Sequence, residues 1–468
     1  MVASDSQWIA ITTLACAIAA CVWWTSRHER NRWNWGQFAL AWVAIDYLVP
    51  VAIEVAGLSA PPDTAMGLFP GLASRPESIL LTAAATVALA CGYILVQGRS
   101  RSTALAGDPL QELRASPSFA PLACVATLFL VGTWMWSHGG LGPSFANIYE
   151  FRARRLQPEG ETARLFLSFT KSAWVFAAIA LISIARRQRG GVPRTAWWWV
   201  LLGLSSVALV LRGGRGAIVN TGLAFLLSAS KPSRIRWGLT GLVILIALGV
   251  LIAGKPSMTV LSYWFGGFSL SEAIAESQAD LTGRTDIGSV ASVLGTVGGN
   301  LSHFPVLAAL AGSDAQLQPD PMIVLNELHI AFGKLLPAVI HEPDVENVCV
   351  RTTSMVYGYE ESQVPPGIVA VGVLSFGVYG AAALAFLSGL ALGAIERTWN
   401  RAWRAAGGVR RILDVVGGLT VSSGLIAMTL PDMVREVIAL VIPVWMVIVL
   451  SKSVAIARRA PSSLMDTG

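Results

Sequence analysis

Long apolar segments alternate with short polar connections along most of the chain. The apolar runs are about 17 to 25 residues long, which is the length that a helix needs to cross about 30 Å of hydrocarbon. The pattern therefore predicts an all-α integral membrane protein with eleven transmembrane helices, in a range of about ten to thirteen. The predicted spans are residues 8–24, 35–57, 77–97, 118–137, 166–185, 196–211, 216–230, 237–253, 366–395, 412–430 and 436–452.

One interval of more than a hundred residues, 254–365, breaks this alternation. The pattern thus divides the chain into residues 1–253 with eight spans, a large extracytoplasmic loop over 254–365, and residues 366–468 with three spans and a cytoplasmic tail. Irregular backbone is not stable in hydrocarbon, so the large loop is expected to fold as a cap or to be partly re-entrant. The segment 288–311 is apolar enough for a re-entrant piece.

Composition and charge agree with a membrane location. The chain is 54% hydrophobic and 13% charged, with a mean hydropathy of +0.60, whereas soluble domains carry about 25% charged residues. The net charge of +6 does not indicate nucleic acid, because the basic residues lie in short connections between apolar runs. Most of these connections share one side if there are eleven spans, and the positive-inside rule assigns that side to the cytoplasm. The N-terminus is then outside and the C-terminus inside.

A pair of arginines lies between two apolar runs on the predicted outer side, in "VALVLRGGRGAIVNTG". Arg212 and Arg215 are three residues apart and would share one face of a helical turn. Nearby glycines allow a ligand to approach the backbone closely, and exposed N–H groups at the start of the next span favour an anion. The alternative is that both arginines extend to lipid headgroups.

Further cations lie on the same predicted side. They suggest an anionic, lipid-linked substrate such as a polyprenyl diphosphate, because arginine forms bidentate bonds to phosphate. A solvated loop balanced by nearby glutamates is the alternative. The candidates for substrate binding are Arg152, Arg154 and Arg155 in "YEFRARRL", together with Arg284 and Arg351 in the large loop.

Carboxylates form the second group of candidates. Asp46 lies near the middle of span two, where an ionisable residue is costly and is a functional candidate; it could instead partner Lys171 or be a neutral, hydrogen-bonded acid. Glu360 and Glu361 stand near the outer interface and could deprotonate a sugar hydroxyl, or could be ordinary loop acids. The histidines make no recognisable zinc motif, and the sequence indicates no metal and no cofactor.

Two segments resemble the bacterial O-antigen polymerases and related exopolysaccharide repeat-unit polymerases, which are relatives of the O-antigen ligases. "LRGGRGAIVNTGLAFLL" is similar to the family's small-residue–Arg–Gly opening of a span. "VPPGIVAVGVLSFGVYGAAALAFLSGLALG" is similar to the segment that closes its large outer loop. In pattern, the resemblance covers residues from about 130 to 395.

The resemblance implies a membrane glycosyltransferase of the GT-C type in the bacterial plasma membrane. Such an enzyme transfers a glycan from undecaprenyl diphosphate to another lipid-linked repeat unit, and a chain-length regulator is an implied partner. Arg212 and Arg215 would neutralise the diphosphate leaving group, so no metal is required. In the ligase branch a histidine lies roughly a dozen residues before the glycines that correspond to Gly377 and Gly380, where this chain has Pro365, Pro366 and Gly367. Glu360 or Glu361 is therefore the expected base.

Two other functions are compatible with the same pattern. An O-antigen ligase would perform the same chemistry on a different acceptor, but the missing histidine disfavours it. A transporter or flippase of lipid-linked saccharide would need cations along a path through the membrane, whereas here they cluster at one interface. The polymerase is the preferred interpretation.

Overall fold

The computed structural model describes twelve stretches of the chain, all mainly helical, with no strand among their residues. These stretches are residues 4–28, 33–56, 75–97, 118–147, 169–187, 196–211, 215–229, 257–282, 319–333, 348–357, 365–403 and 409–457. Their helices are α1 (Asp5–His28), α2 (Trp35–Val55), α3 (Pro76–Gln97), α4 (Phe119–Ser137), α5 (Leu141–Ala146), α6 (Ala173–Arg187), α7 (Ala196–Leu211), α8 (Arg215–Ala229), α9 (257–265), α10 (Leu270–Thr282), α11 (Met322–Gly333), α12 (Val348–Tyr357), α13 (Gly367–Phe376), α14 (Val378–Ala402), α15 (Arg410–Ala427) and α16 (Leu430–Ala457).

Six of the described helices are long and apolar enough to cross a membrane, and the chain is accordingly an α-helical, multi-pass membrane protein. Each of the six overlaps one of the predicted spans. They are Asp5–Arg27, Trp35–Val55, Pro76–Gln97, Phe119–Ser137, Val378–Ala402 and Leu430–Val454.

The other predicted spans have different outcomes. Three of them form shorter apolar helices, which are Thr170–Ala185, Ala196–Leu211 and Ala217–Ser228. Span 412–430 corresponds to α15, which is not among the six and is buried over most of its length. Span 237–253 and the apolar segment 288–311 lie outside the described residues. The total of eleven spans and the GT-C-like arrangement therefore stay predictions.

The chain forms two compact units, each built from separate segments. Unit 1 consists of Met1–Thr103, Thr282–Trp399 and Gly417–Arg435, and unit 2 of Ala104–Leu281, Asn400–Val416 and Glu436–Gly468. Each unit thus draws on more than one of the three consecutive regions expected from the sequence.

Close helix contacts in unit 1 depend on glycine. A Cβ atom added at Gly92 of α3 would collide with the carbonyl oxygen of Phe386 on α14, and one at Gly389 would collide with that of Leu89. Small residues let two backbones approach in this way in membrane proteins. The polar end of the same helix pair is closed by Glu396, which is fully buried.

A break at Gly377 divides the segment that was expected to form one span over 366–395. Helix α13 ends at Phe376, Gly377 has a φ of +73°, and α14 begins at Val378. A Cβ at Gly372 would lie 2.5 Å from the Cα of Ala381, although nine positions separate the two residues. The chain therefore turns back, and α13 packs on the first turns of α14.

Unit 2 is built around α6, which contacts α4, α7 and α8. Beyond the end of α4, a turn at Gly139 and Gly140 leads into the short helix α5. The rings of Phe145 and Phe265 stack with centroids 4.5 Å apart, and the hydroxyl of Ser262 donates to the carbonyl of Ala146. The loop after α4 and the first part of the large loop are thereby packed together.

Candidate functional site

The arginine–glycine turn of unit 2 lies between two helix ends. Helix α7 ends at Leu211 and α8 begins at Arg215, so residues 212–214, with Arg212 among them, lie outside the described residues. For Arg215 the structure describes the backbone alone, as the first residue of α8. The first N–H groups of a helix have no partner within that helix, so the start of α8 is suited to an anion.

Helix α6 holds both helices that flank the turn. It packs on α7 and on α8, and its residues 173–180 are buried. The hydroxyl of Thr221 on α8 donates to the carbonyl of Ala217 at 2.8 Å and lies 3.5 Å from the carbonyl of Trp174 on α6. Helix α8 is thus held against α6 at Thr221, about two turns after its first residue.

Several of the other predicted site residues lie outside the described residues. Their roles stay predictions. They are Arg152, Arg154, Arg155, Arg284, Glu360 and Glu361.

Arg351 is the loop arginine whose side chain the structure describes, in unit 1. It lies on α12, and its Nη1 is 3.2 Å from Oδ2 of Asp320, with side chains 45% and 39% exposed. An exposed pair of this kind contributes little to stability. The main effect of the pair is on orientation, because Asp320 holds one edge of the Arg351 guanidinium.

Asp320 also joins the start of α11 to the end of α13. Its Oδ1 accepts a hydrogen bond of 3.0 Å from the N–H of Met322, and its own N–H donates to the carbonyl of Leu374 at 2.9 Å. Pro319, next to it, lies beside Gly377 at the helix break. Arg351 is therefore held at the point where α11 meets the broken segment.

Glu327 is a buried carboxyl on the inner face of α11 and is 1% exposed. Its Oε1 accepts a hydrogen bond of 2.6 Å from the N–H of Val348, the first residue of α12. Its Oε2 has no hydrogen-bond partner within the described part of the chain. Burial raises the pKa of this carboxyl to about 7; the Val348 N–H opposes the rise and Asp432 adds to it.

Asp46 lies in α2 and is buried, with 6% of its surface exposed. It lies in a π-helical turn, Ala44–Leu48, which interrupts the α-helical hydrogen bonding. Such turns often occur at functional sites. Lys171 has a carboxylate partner in unit 2, because its Nζ lies 2.7 Å from Oε1 of Glu436.

Two buried carboxylates in unit 1 were not predicted from the sequence. Glu327 stands in the apolar run "MIVLNELHIAFG", and a carboxylate in such a run was the signal that identified Asp46. Glu396, near the end of α14, accepts hydrogen bonds from the Tyr93 hydroxyl at 2.5 Å and from the Gln97 amide at 2.8 Å. The pairing of Asp320 with Arg351 has no signal in the sequence, since it depends on how α11 and α12 meet.

The described residues contain no group of three or more histidine, cysteine, aspartate or glutamate side chains arranged to hold a metal ion. Comparisons with protein-family models, with curated proteins and with solved structures find no match to the chain.

Proposed function

We propose that the protein is a polysaccharide polymerase acting at the outer face of a bacterial plasma membrane. It transfers a glycan from undecaprenyl diphosphate to a second lipid-linked repeat unit. The observation that carries the proposal is the start of α8 at Arg215, directly after the arginine–glycine turn. A helix end and two arginines at one turn form a natural diphosphate site.

The reaction requires charge neutralisation and one proton transfer. The acceptor hydroxyl oxygen forms a bond to the anomeric carbon of the donor, while the bond from that carbon to the diphosphate oxygen breaks. Arg212 and Arg215 stabilise the negative charge that develops on the departing undecaprenyl diphosphate. The hydroxyl proton passes to a carboxylate, for which Glu360 and Glu361 are the candidates from the sequence.

Arg351 has a separate role in this scheme, as a substrate-binding group of unit 1. Its guanidinium is partly exposed and is held by Asp320 along one edge, which leaves donors for a phosphate or a sugar carboxylate. A chain-length regulator is the expected protein partner.

The decisive experiment is an assay of the purified chain with an undecaprenyl-diphosphate-linked repeat unit. The wild type is expected to produce a ladder of longer glycans. Arg212→Ala and Arg215→Ala are each expected to abolish the ladder while the protein still inserts and folds. Arg401→Ala, a matched arginine near the end of α14 on the predicted cytoplasmic side, serves as the control. Ladders of normal length from both turn variants would rule out the diphosphate role.

The same assay separates the alternatives. A ligase would transfer the glycan to a different acceptor without making a ladder. A flippase would move the lipid-linked saccharide across a vesicle membrane without extending it. Either result would replace the polymerase assignment.

A further inference from the structure

The first turn of α12 is anchored at its start by Glu327. The carboxyl oxygen Oε1 takes the N–H of Val348 at 2.6 Å, one of the N–H groups that a helix cannot satisfy internally. Val348, Cys349 and Thr352 are all buried, so this turn is packed as well as hydrogen-bonded. The Glu327 carboxyl of α11 is therefore one of the groups that hold the start of α12.

Arg351 lies one turn further along the same helix. Its Nη1 contacts Asp320, whose other oxygen holds the start of α11 through Met322. Glu327 and Asp320 are seven residues apart on the same segment, and each binds a different point of α12. The two carboxyls together fix both the backbone and the guanidinium of this part of the helix.

We propose that Glu327 is a positioning residue for Arg351, holding α12 so that the guanidinium is oriented for a phosphate group of a lipid-linked substrate bound at unit 1. The inference rests on the proposed function, because that is where Arg351 acquires a phosphate ligand. Orientation matters, since a binding group that is already held in place loses less freedom when the ligand arrives.

The burial of Glu327 supports this role over a purely packing one. A buried carboxyl costs free energy that a leucine would not, and unsatisfied buried polar atoms require an explanation. Within the described residues, the hydrogen bond that the carboxyl provides is the one to Val348. At 1% exposure it does not reach solvent, so it acts through α12.

Three substitutions separate the hydrogen bond from the charge and from packing. Glu327→Leu keeps the approximate volume and removes the acceptor. Glu327→Gln keeps an amide oxygen for the Val348 N–H and removes the charge. Ser375→Ala on α13 changes another fully buried polar side chain of unit 1 and is the matched control.

The test measures binding of farnesyl diphosphate, a short polyprenyl diphosphate, to the purified full-length chain. Arg351→Ala is expected to weaken binding about tenfold, the scale of a lost charge-assisted hydrogen bond. Glu327→Leu is expected to weaken it severalfold, while Glu327→Gln and Ser375→Ala stay near the wild type. In the Arg351→Ala background, Glu327→Leu should have no further effect, since residues acting through one group are not additive.

Hydrogen exchange provides a readout that is independent of ligand. At pH 5, peptides that cover 348–357 should exchange faster in Glu327→Leu than in the wild type, and at the wild-type rate in Glu327→Gln. Unchanged exchange in the leucine variant would show that the Val348 bond does not hold α12, which overturns the proposal.

Other outcomes also decide the matter. Additive effects of Glu327→Leu and Arg351→Ala, or no binding of farnesyl diphosphate by the wild type, would overturn the positioning role. The ladder assay is scored separately on the wild type. If the wild type makes a ladder but the effects of Glu327→Leu and Arg351→Ala on binding are additive, the polymerase function is supported and the positioning role is wrong. If the wild type makes no ladder, the polymerase function is wrong.

Discussion

The hydroxyl of Tyr93 on α3 donates a hydrogen bond of 2.5 Å to Oε2 of Glu396 on α14, although the two residues are 303 positions apart in the chain. The carboxyl is fully buried and also receives the amide of Gln97 at 2.8 Å. A buried acceptor of this kind is costly to leave without its donors. The pair therefore closes one end of the contact between α3 and α14.

Replacing Tyr93 with phenylalanine should destabilise the protein, because it removes a donor to a buried carboxyl. We expect a loss of about 1 to 3 kcal/mol in the free energy of unfolding, measured by tryptophan fluorescence in detergent. Tyr379→Phe, on α14 and 91% exposed, should have no effect. Equal stabilities for the two variants would show that the Tyr93 bond contributes nothing.

Gly389→Ala should separate α3 from α14. The new Cβ would collide with the carbonyl oxygen of Leu89, a rigid backbone atom, and overpacking of this kind costs about 1 to 3 kcal/mol. Gly132→Ala on α4 is the control, since nothing lies within 4 Å of its added Cβ. A lowered melting temperature for the first variant and no loss for the second is the expected result in detergent.

The stability of the protein should depend on pH through Glu327, which lies on α11, outside the six candidate spans. Burial raises the pKa of this carboxyl from 4.5 to about 7, against the effect of the Val348 N–H and with a contribution from Asp432. The folded protein therefore binds more protons than the unfolded chain between these values. Its contribution to stability is complete below about pH 4.5 and is lost as the pH rises past about 7.

The difference between the wild type and Glu327→Gln isolates this contribution. At pH 5 the two proteins should be similarly stable, whereas at pH 8 the glutamine variant should be more stable by about 3 kcal/mol. Chemical unfolding at a series of pH values measures the difference. A constant difference across the range would contradict the raised pKa.

Charge exchange should test the pair of Lys171 and Glu436 in unit 2. Their atoms lie 2.7 Å apart, with the side chains 20% and 43% exposed. Glu436→Lys alone should destabilise the protein by like-charge repulsion, by about 1 kcal/mol for a partly exposed pair. The double variant with Lys171→Glu should recover most of the loss. A double variant no more stable than the single one would show that the pair makes no specific contribution.

The apolar pattern predicted most of the helices but not their continuity. The run 366–395 is apolar throughout, and hydropathy does not detect a reversal of direction. The break depends on the positive φ of Gly377 and on the close approach of Gly372 to Ala381, which are properties of the folded backbone. The presence of an apolar segment at this position was predictable, whereas its division into α13 and α14 was not.

The candidate site was predictable only where a residue was unusual for its position. Asp46 stood out as a charge within an apolar span and Arg351 as one of the cations on the predicted outer side, and Glu327 carried the same signal as Asp46 in its helix. Asp320 did not stand out, because an aspartate in a loop is ordinary until α11, α12 and α13 meet around it. Sequence patterns identify charged residues whose burial in an apolar segment costs free energy, and the fold determines which residues become their partners.

Helix α13 has ten residues, so it is about 15 Å long and covers about half of a hydrocarbon layer. It cannot be inserted into a bilayer as an independent span. Its end is held by the N–H of Asp320, to which Leu374 offers its carbonyl, and Asp320 is synthesised first. The segment thus leaves the ribosome after the residue that will receive it. Because Asp320 precedes α13 in the chain, the residue that binds the end of this helix is already synthesised when a helix too short to span the bilayer emerges.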